Sequence, residues 1–316
     1  MRVLKASSMG VCFGVRDALR FADSIPQTVD VTVYGQLVHN PLVQQRMAQR
    51  GFRQTVEGSE RNSIPDTPCV LITAHGISQW RRDQLENAGK TLLDTTCPLV
   101  KKAHNAAVTL GRQGYHVLLI GRPRHVEVQG IIEDLPSYDV VPDVAAVKSY
   151  SHPKLGIMCQ TTTPAWLAEQ IRHAIAKKNP HAEIKFVDTI CQPTKDRQDA
   201  VEHLLGQVQA MVVVGGENSN NTRQLAQRCR DRGVKAYHVQ RADELDSRWF
   251  DHMDTVGLTA GTSTLPETIE EVYQALLAME PHGDTSVDSG ASGATIARRM
   301  NPPAEVPLRV GGVVPR

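Results

Sequence analysis

LLDTTCP, residues 92–98, and FVDTICQP, residues 186–193, are two copies of one pattern. Each runs from a short apolar stretch through Asp-Thr-x-Cys to a proline. The apolar stretch reads as a strand. The proline suits the first position of a helix, where its missing N–H is not needed. Cys97 and Cys191 therefore stand between a strand and a helix. SSMGVCFGVRDALRFA, residues 7–22, puts Cys12 in the same setting, between Gly10 and Gly14 at the start of a helical period. The spacings agree. Cys97 lies 28 positions before His125, Cys191 lies 28 before Ser219, and Cys12 lies 27 before His39. The cysteines are 85 and 94 residues apart, which is a threefold internal repeat.

Between and beyond the cysteines, a β-branched run meets a polar turn and then a helical period six times. These are residues 31–51, 69–89, 116–135, 154–175, 210–233 and 255–276. Strands alternating with helices predict parallel sheets covered by helices. The expected fold is α/β, with three small, pseudo-threefold-related domains of mostly parallel sheet. Residues 1–96 carry Cys12, 97–190 begin at Cys97, and 191–280 begin at Cys191. Residues 281–316, rich in Gly, Pro, Ser and Ala, read as a disordered tail. The predicted helices present Val15, Ala18, Leu19 and Ala22 after Cys12. After Cys97 they present Leu99, Ala103, Ala106 and Leu110, and after Cys191, Val201, Leu204, Leu205 and Val208.

Composition narrows the function classes. Lys and Arg total 35 against 34 Asp and Glu, so no basic field awaits nucleic acid. Aromatics are 4% of the chain, too few for base-stacking platforms. No apolar run is long enough to span a bilayer, and MRVLKASSMG has no apolar segment typical of a signal peptide. A cytoplasmic protein with reduced thiols is expected. Six cysteines in 316 residues do not form a small disulfide scaffold.

Ligands of parallel α/β sheets sit beyond the carboxyl ends of strands, so the turns are where chemistry is expected. Each repeat contributes one cysteine at a helix start, where the helix dipole favours thiolate. Thiolates are soft ligands for zinc or an iron–sulfur cluster. Three of them leave one iron of a 4Fe–4S cluster without a protein ligand. Cys69, Cys159 and Cys229 are not equivalent to these and read as core thiols. The turns also carry His39, His75, His125, Thr161, Ser219, Asn221 and Ser263. Together with helix N-termini they suit a phosphate or diphosphate, although Ser and Asn are also common caps. No GxxxxGKS/T or GxGxxG pattern is present, so no dinucleotide is expected. Glu127 is either a proton donor facing the same centre or a first-turn glutamate favoured by the dipole.

In order, GVCFGV, LVHNPLV, TAHGIS, DTTCPLVKKAH, HVEVQG, QTTTP, DTICQPTKDRQDAV, NSNNTRQL and TAGTSTLPE resemble the motifs of the 4-hydroxy-3-methylbut-2-enyl diphosphate reductase family, over roughly residues 1–279. Val126 stands where that family usually has proline. The resemblance implies a trefoil of three α/β domains around a 4Fe–4S cluster held by Cys12, Cys97 and Cys191. It implies substrate contacts from His39, His75, His125, Thr161, Ser219, Asn220, Asn221 and Ser263, and proton delivery by Glu127 with Thr161. The implied reaction is a two-electron, two-proton reductive dehydroxylation, with the substrate hydroxyl at the open iron. Isopentenyl and dimethylallyl diphosphate are the products, and ferredoxin or flavodoxin the electron donor. The alternatives are a cluster-dependent hydro-lyase, which needs no reductant, and a non-catalytic cluster-bearing sensor.

Overall fold

Each of the six expected strand–turn–helix units is present in the computed structural model, which describes residues 1–56 and 63–279. The chain opens with β1 (Arg2–Lys5) and α1 (Phe13–Ser24). It continues through β2 (Val31–Val33), α2 (Pro41–Gln49), β3 (Arg53–Gln54), β4 (Cys69–Ile72), α3 (Gln79–Asn87) and β5 (Thr91–Asp94). A second stretch holds α4 (Pro98–Arg112), β6 (His116–Ile120), α5 (Val126–Ile132), β7 (Tyr138–Val141), β8 (Lys154–Cys159), α6 (Ala165–Lys178) and β9 (Glu183–Val187). A third holds α7 (Gln192–Leu205), β10 (Ala210–Val214), α8 (Asn220–Asp231), β11 (Lys235–Val239), β12 (Thr255–Ala260) and α9 (Pro266–Ala278).

The strands form three four-stranded sheets, in the orders β3-β2-β4-β5, β7-β6-β8-β9 and β11-β10-β12-β1. Every pairing is parallel. The three orders are one order repeated, which makes the molecule a trefoil. The third copy is completed from the other end of the chain, because β1 pairs with β12 from Arg2↔Thr255 to Lys5↔Leu258. The boundaries expected at 97 and 191 follow chain order, whereas this pairing places residues 2–5 with residues 210–260.

Inner strands such as β6 (HVLLI) and β10 (AMVVV) are buried at every position, as strands covered on both faces must be. Successive residues point to opposite faces and enter different cores. Val117 and Leu119 of β6 join Ala103, Ala107 and Leu110 of α4, while Leu118 and Ile120 join Ile171 and Ile175 of α6. The buried face of α4 includes Val100 and Ala107 rather than the expected Leu99 and Ala106, a one-residue offset.

The helices behind the three cysteines cross between sheets. β5 belongs to the first sheet, yet the α4 that follows it packs on β6 and β8 of the second. β9 belongs to the second sheet, and α7 packs against Met211 and Val213 of the third. β1 belongs to the third sheet, and α1 packs against Val31, Val33 and Leu71 of the first. Each cysteine thus stands where the chain leaves one sheet for the next. The expected disordered tail at 281–316 lies outside the described residues. Among the described residues, no helix is long and apolar enough to cross a membrane.

Candidate functional site

The Asp-Thr-x-Cys pattern works as a tether. Asp94 Oδ1 accepts from Thr96 N at 2.8 Å, and its other oxygen meets Lys101 Nζ at 2.9 Å, one turn into α4. Asp188 repeats this, accepting from Ile190 N at 3.0 Å and from Lys195 Nζ at 2.6 Å in α7. The threonine ties the loop to the adjacent strand. Thr95 Oγ1 donates to Ile72 O, and Thr189 Oγ1 donates to Cys159 O. The cysteine that follows is then anchored by its own backbone. Cys97 N donates to Ala74 O (3.1 Å), Cys191 N to Thr161 O (3.0 Å) and Cys12 N to Thr262 O (3.1 Å). These are three equivalent bonds to the turns after β4, β8 and β12. Each cysteine occupies the N-cap of its helix without using its side chain as the cap. The thiols are left available to a ligand.

The turns after β2, β6 and β10 are capped differently. Asn40 Oδ1 accepts from Leu42 N, Ser219 Oγ from Thr222 N, and His125 Nδ1 from Glu127 N at 3.2 Å. An imidazole nitrogen that accepts a backbone N–H carries no proton, so neutral His125 is protonated at Nε2. That nitrogen is a donor. His39, His75 and His125 converge, with ring centroids 4.3 to 5.5 Å apart, and one ligand atom from each lies within 4.8 Å of the others.

One cavity gathers every site residue expected from the sequence. Cys12, Cys97 and Cys191 line it, as do His39, His75, His125, Glu127, Thr161, Ser219, Asn220, Asn221 and Ser263. Their engagement differs. Asn221 Oδ1 accepts from Thr262 N, while its buried Nδ2 has no protein acceptor. Asn220 Nδ2 donates to Thr162 Oγ1 at 2.8 Å, and Ser263 Oγ donates to His39 O at 3.2 Å. Asn220 and Ser263 are thus partly occupied within the protein.

Glu127 is 2% exposed. Thr161 N donates to its Oε1 at 2.7 Å and Thr161 Oγ1 to its Oε2 at 2.9 Å. Burial pushes its pKa up to about 7, and the Thr161 bonds oppose but do not cancel this. It is also the first-turn acid of α5.

The thiols depart from expectation. Burial raises the pKa of Cys97 and pushes Cys191 up to about 11, even though Thr194 Oγ1 is hydrogen-bonded to Cys191 Sγ at 3.1 Å. The expected bias of these two toward thiolate is reversed, because loss of water outweighs the helix N-terminus. A bound metal would have to displace their protons.

Sequence reasoning missed the tethering role of Thr95 and Thr189, whose only signal was their recurrence one residue after the aspartate. It placed Gly14 beside Cys12 without naming what Gly14 packs against. A Cβ there would meet Cys97 Sγ at 2.5 Å.

The family described as LytB protein matches residues 3–277. The 4-hydroxy-3-methylbut-2-enyl diphosphate reductase of Geobacter sp. (strain M21) is 34% identical over 284 residues, covering 89% of this chain and 98% of the relative. Its namesake from Aquifex aeolicus (strain VF5) is 32% identical over 279 residues, covering 85% and 94%. Among solved structures, the E-1-hydroxy-2-methyl-but-2-enyl-4-diphosphate reductase of Plasmodium falciparum superposes with a TM-score of 0.80 at 26% identity, covering 87% of both chains.

Proposed function

Because the chain belongs to the LytB protein family over nearly its whole described length, we propose that it is an oxidoreductase of isoprenoid biosynthesis. It would remove the hydroxyl of 4-hydroxy-3-methylbut-2-enyl diphosphate with two electrons and two protons, giving isopentenyl and dimethylallyl diphosphate. The observation that carries this reading is the meeting of three thiols and a buried glutamate, with a pKa about 7, in one cavity.

The residues suit a 4Fe–4S cluster. Three soft donors converge from three helix N-caps, none spent on capping. The bare Cα of Gly14 leaves Cys97 Sγ the room it occupies. Cys12, Cys97 and Cys191 would hold the cluster, which when bound supplies electrons and an iron with no protein ligand. The histidines suit the diphosphate better than a metal ion. Nε2 of His125 is the protonated nitrogen, so it donates to phosphate oxygen and has no lone pair for zinc. The Asn221 Nδ2 group, buried with no acceptor, is a second donor for the same anion. The N-termini of α2, α5 and α8 add to it.

Glu127 supplies the proton. A carboxyl with a pKa about 7 is still partly protonated at neutral pH and gives its proton up readily. Thr161 occupies one acceptor position on each oxygen, which fixes the carboxyl at the wall of the cavity. The departing hydroxyl takes that proton and leaves as water. A ferredoxin or flavodoxin is the proposed electron donor.

The test is anaerobic purification, assay of iron and sulfide, and addition of the substrate with dithionite. Five-carbon diphosphate products from cluster-loaded protein are expected. Turnover without reductant would move the reading to a hydro-lyase, and a loaded cluster without product to a sensor. Zinc at one per chain in place of iron would replace the cluster reading with a mononuclear metal site. Cys97→Ser should lower bound iron sharply. Cys229→Ser should not, because Cys229 is buried in the core between α7 and α8.

A further inference from the structure

The threefold symmetry of the site breaks at one position. Six residues after each helix-capping cysteine, the chain carries Ala18, Ala103 and Arg197. All three are buried. Two are core alanines and the third is a guanidinium with 5% of its surface exposed. The preceding turn breaks the same way. Three residues after the cysteine stand Val15, Val100 and Thr194, and only the threonine can hydrogen-bond its thiol, Cys191.

Arg197 makes all its contacts with carbonyls. Its Nε and Nη2 donate to Gly10 O at 3.1 and 2.5 Å, and Nη1 donates to Pro193 O at 2.7 Å. It takes part in none of the ion pairs among the described residues. A guanidinium stays charged in a protein, and a buried charge without a counter-charge is costly. The two carbonyls take three of its five N–H donors without neutralising it. Burial weakens its hold on the proton, and the groups opposing this are Cys12 first, then Cys191, then the surface residue Asp196. Its carbonyl partners place it between two of the cysteines: Gly10 stands two residues before Cys12, and Pro193 two residues after Cys191, at the head of its own helix.

We infer that Arg197 is a positioning residue whose buried guanidinium is the counter-charge of the metal centre, clamping the Cys12 loop to the Cys191 helix and holding the centre's reduction potential up. The inference rests on the cluster reading above. Each one-electron reduction adds one negative charge to the cluster. A fixed cation beside two of its three thiolates stabilises the reduced form relative to the oxidised one, since net charge and hydrogen bonds at sulfur set such potentials. The centre is then polarised: the guanidinium lies on the side of Cys12 and Cys191, while an alanine, Ala103, holds the matching position behind Cys97.

The experiment is a mediated titration of the holoenzyme with dithionite under nitrogen, followed by electron paramagnetic resonance, on wild type, Arg197→Gln and Arg197→Lys. Arg197→Gln keeps donors but loses the charge. It should lower the ratio of reduced to oxidised cluster at fixed potential at least tenfold, a shift of about 59 mV for one electron. Arg197→Lys should recover most of that shift. A potential unchanged in Arg197→Gln, or equally shifted in both variants, would overturn the charge role. If Arg197→Gln does not fold, Arg197→Lys carries the test, because it keeps the charge and alters the carbonyl contacts: a potential lowered by about 59 mV or more in it would overturn the charge role. Iron and sulfide assays on the wild type separate these results from failure of the cluster reading itself, in which no variant would be informative because the parent binds none.

Discussion

Gly14 is the second residue of α1, and a methyl group there would fall 2.5 Å from Cys97 Sγ and 3.2 Å from its Cβ. Alanine is the better helix former by about 1 kcal/mol. Helix propensity and the site therefore pull in opposite directions at this one residue. Gly14→Ala should leave the thermal midpoint of the cluster-free protein unchanged or raised while lowering iron per chain. A variant that lost both together, or neither, would contradict this. Cys12, Cys97 and Cys191 were legible because an equal spacing marks them out from Cys69, Cys159 and Cys229. Arg197 was not, since a single arginine in KDRQDAV says nothing until Ala18 and Ala103 are seen at the matching positions. The chemistry of Glu127 was half legible. Its place after His125 could be read, but its pKa depends on burial, which the sequence does not display.

The strand–tether–helix segment is the working element. Burial alone would raise the pKa of Asp94, but hydrogen bonds from Thr96 and Lys101, with the Arg82 charge, bring it down to about 2. A folded-state pKa below the unfolded value gives stability that is present above pH 4 and is lost as pH falls towards 2. The contribution is about 2 kcal/mol for a shift of this size. Urea unfolding between pH 6 and pH 2 should show wild type losing this increment and Asp94→Asn having little to lose, with the two curves meeting near pH 2. Parallel curves would show that the tether carries no such energy. The six central units could be read from their apolar runs. The edge strands β3, β7 and β11 could not. Arg53–Gln54 has two residues, Tyr138–Val141 is half open to solvent, and Lys235–Val239 mixes Lys and His with Ala, Tyr and Val, so none carries a clear apolar run.

At the scale of the molecule, the repeat was readable from spacing, but the closure of the third sheet by β1 was not. Val3 and its partner Val256 lie at opposite ends of the described chain, and no local pattern links them. Removing residues 1–5 should therefore act at a distance. Amide hydrogen exchange is expected to quicken along β12 and to stay slow along β6 and β8. Uniform acceleration across all three sheets would mean that the trefoil unfolds as one unit. The same closure bears on how the protein is made. A ribosome releases Cys12 well before Thr262, yet the carbonyl of Thr262 is the partner of its backbone N–H. Until that residue emerges, the first thiol has no fixed place beside the other two. Synthesis must therefore pass residue 262 before the three cysteines can be anchored together, and a chain halted at residue 250 would offer two anchored thiols and one adrift.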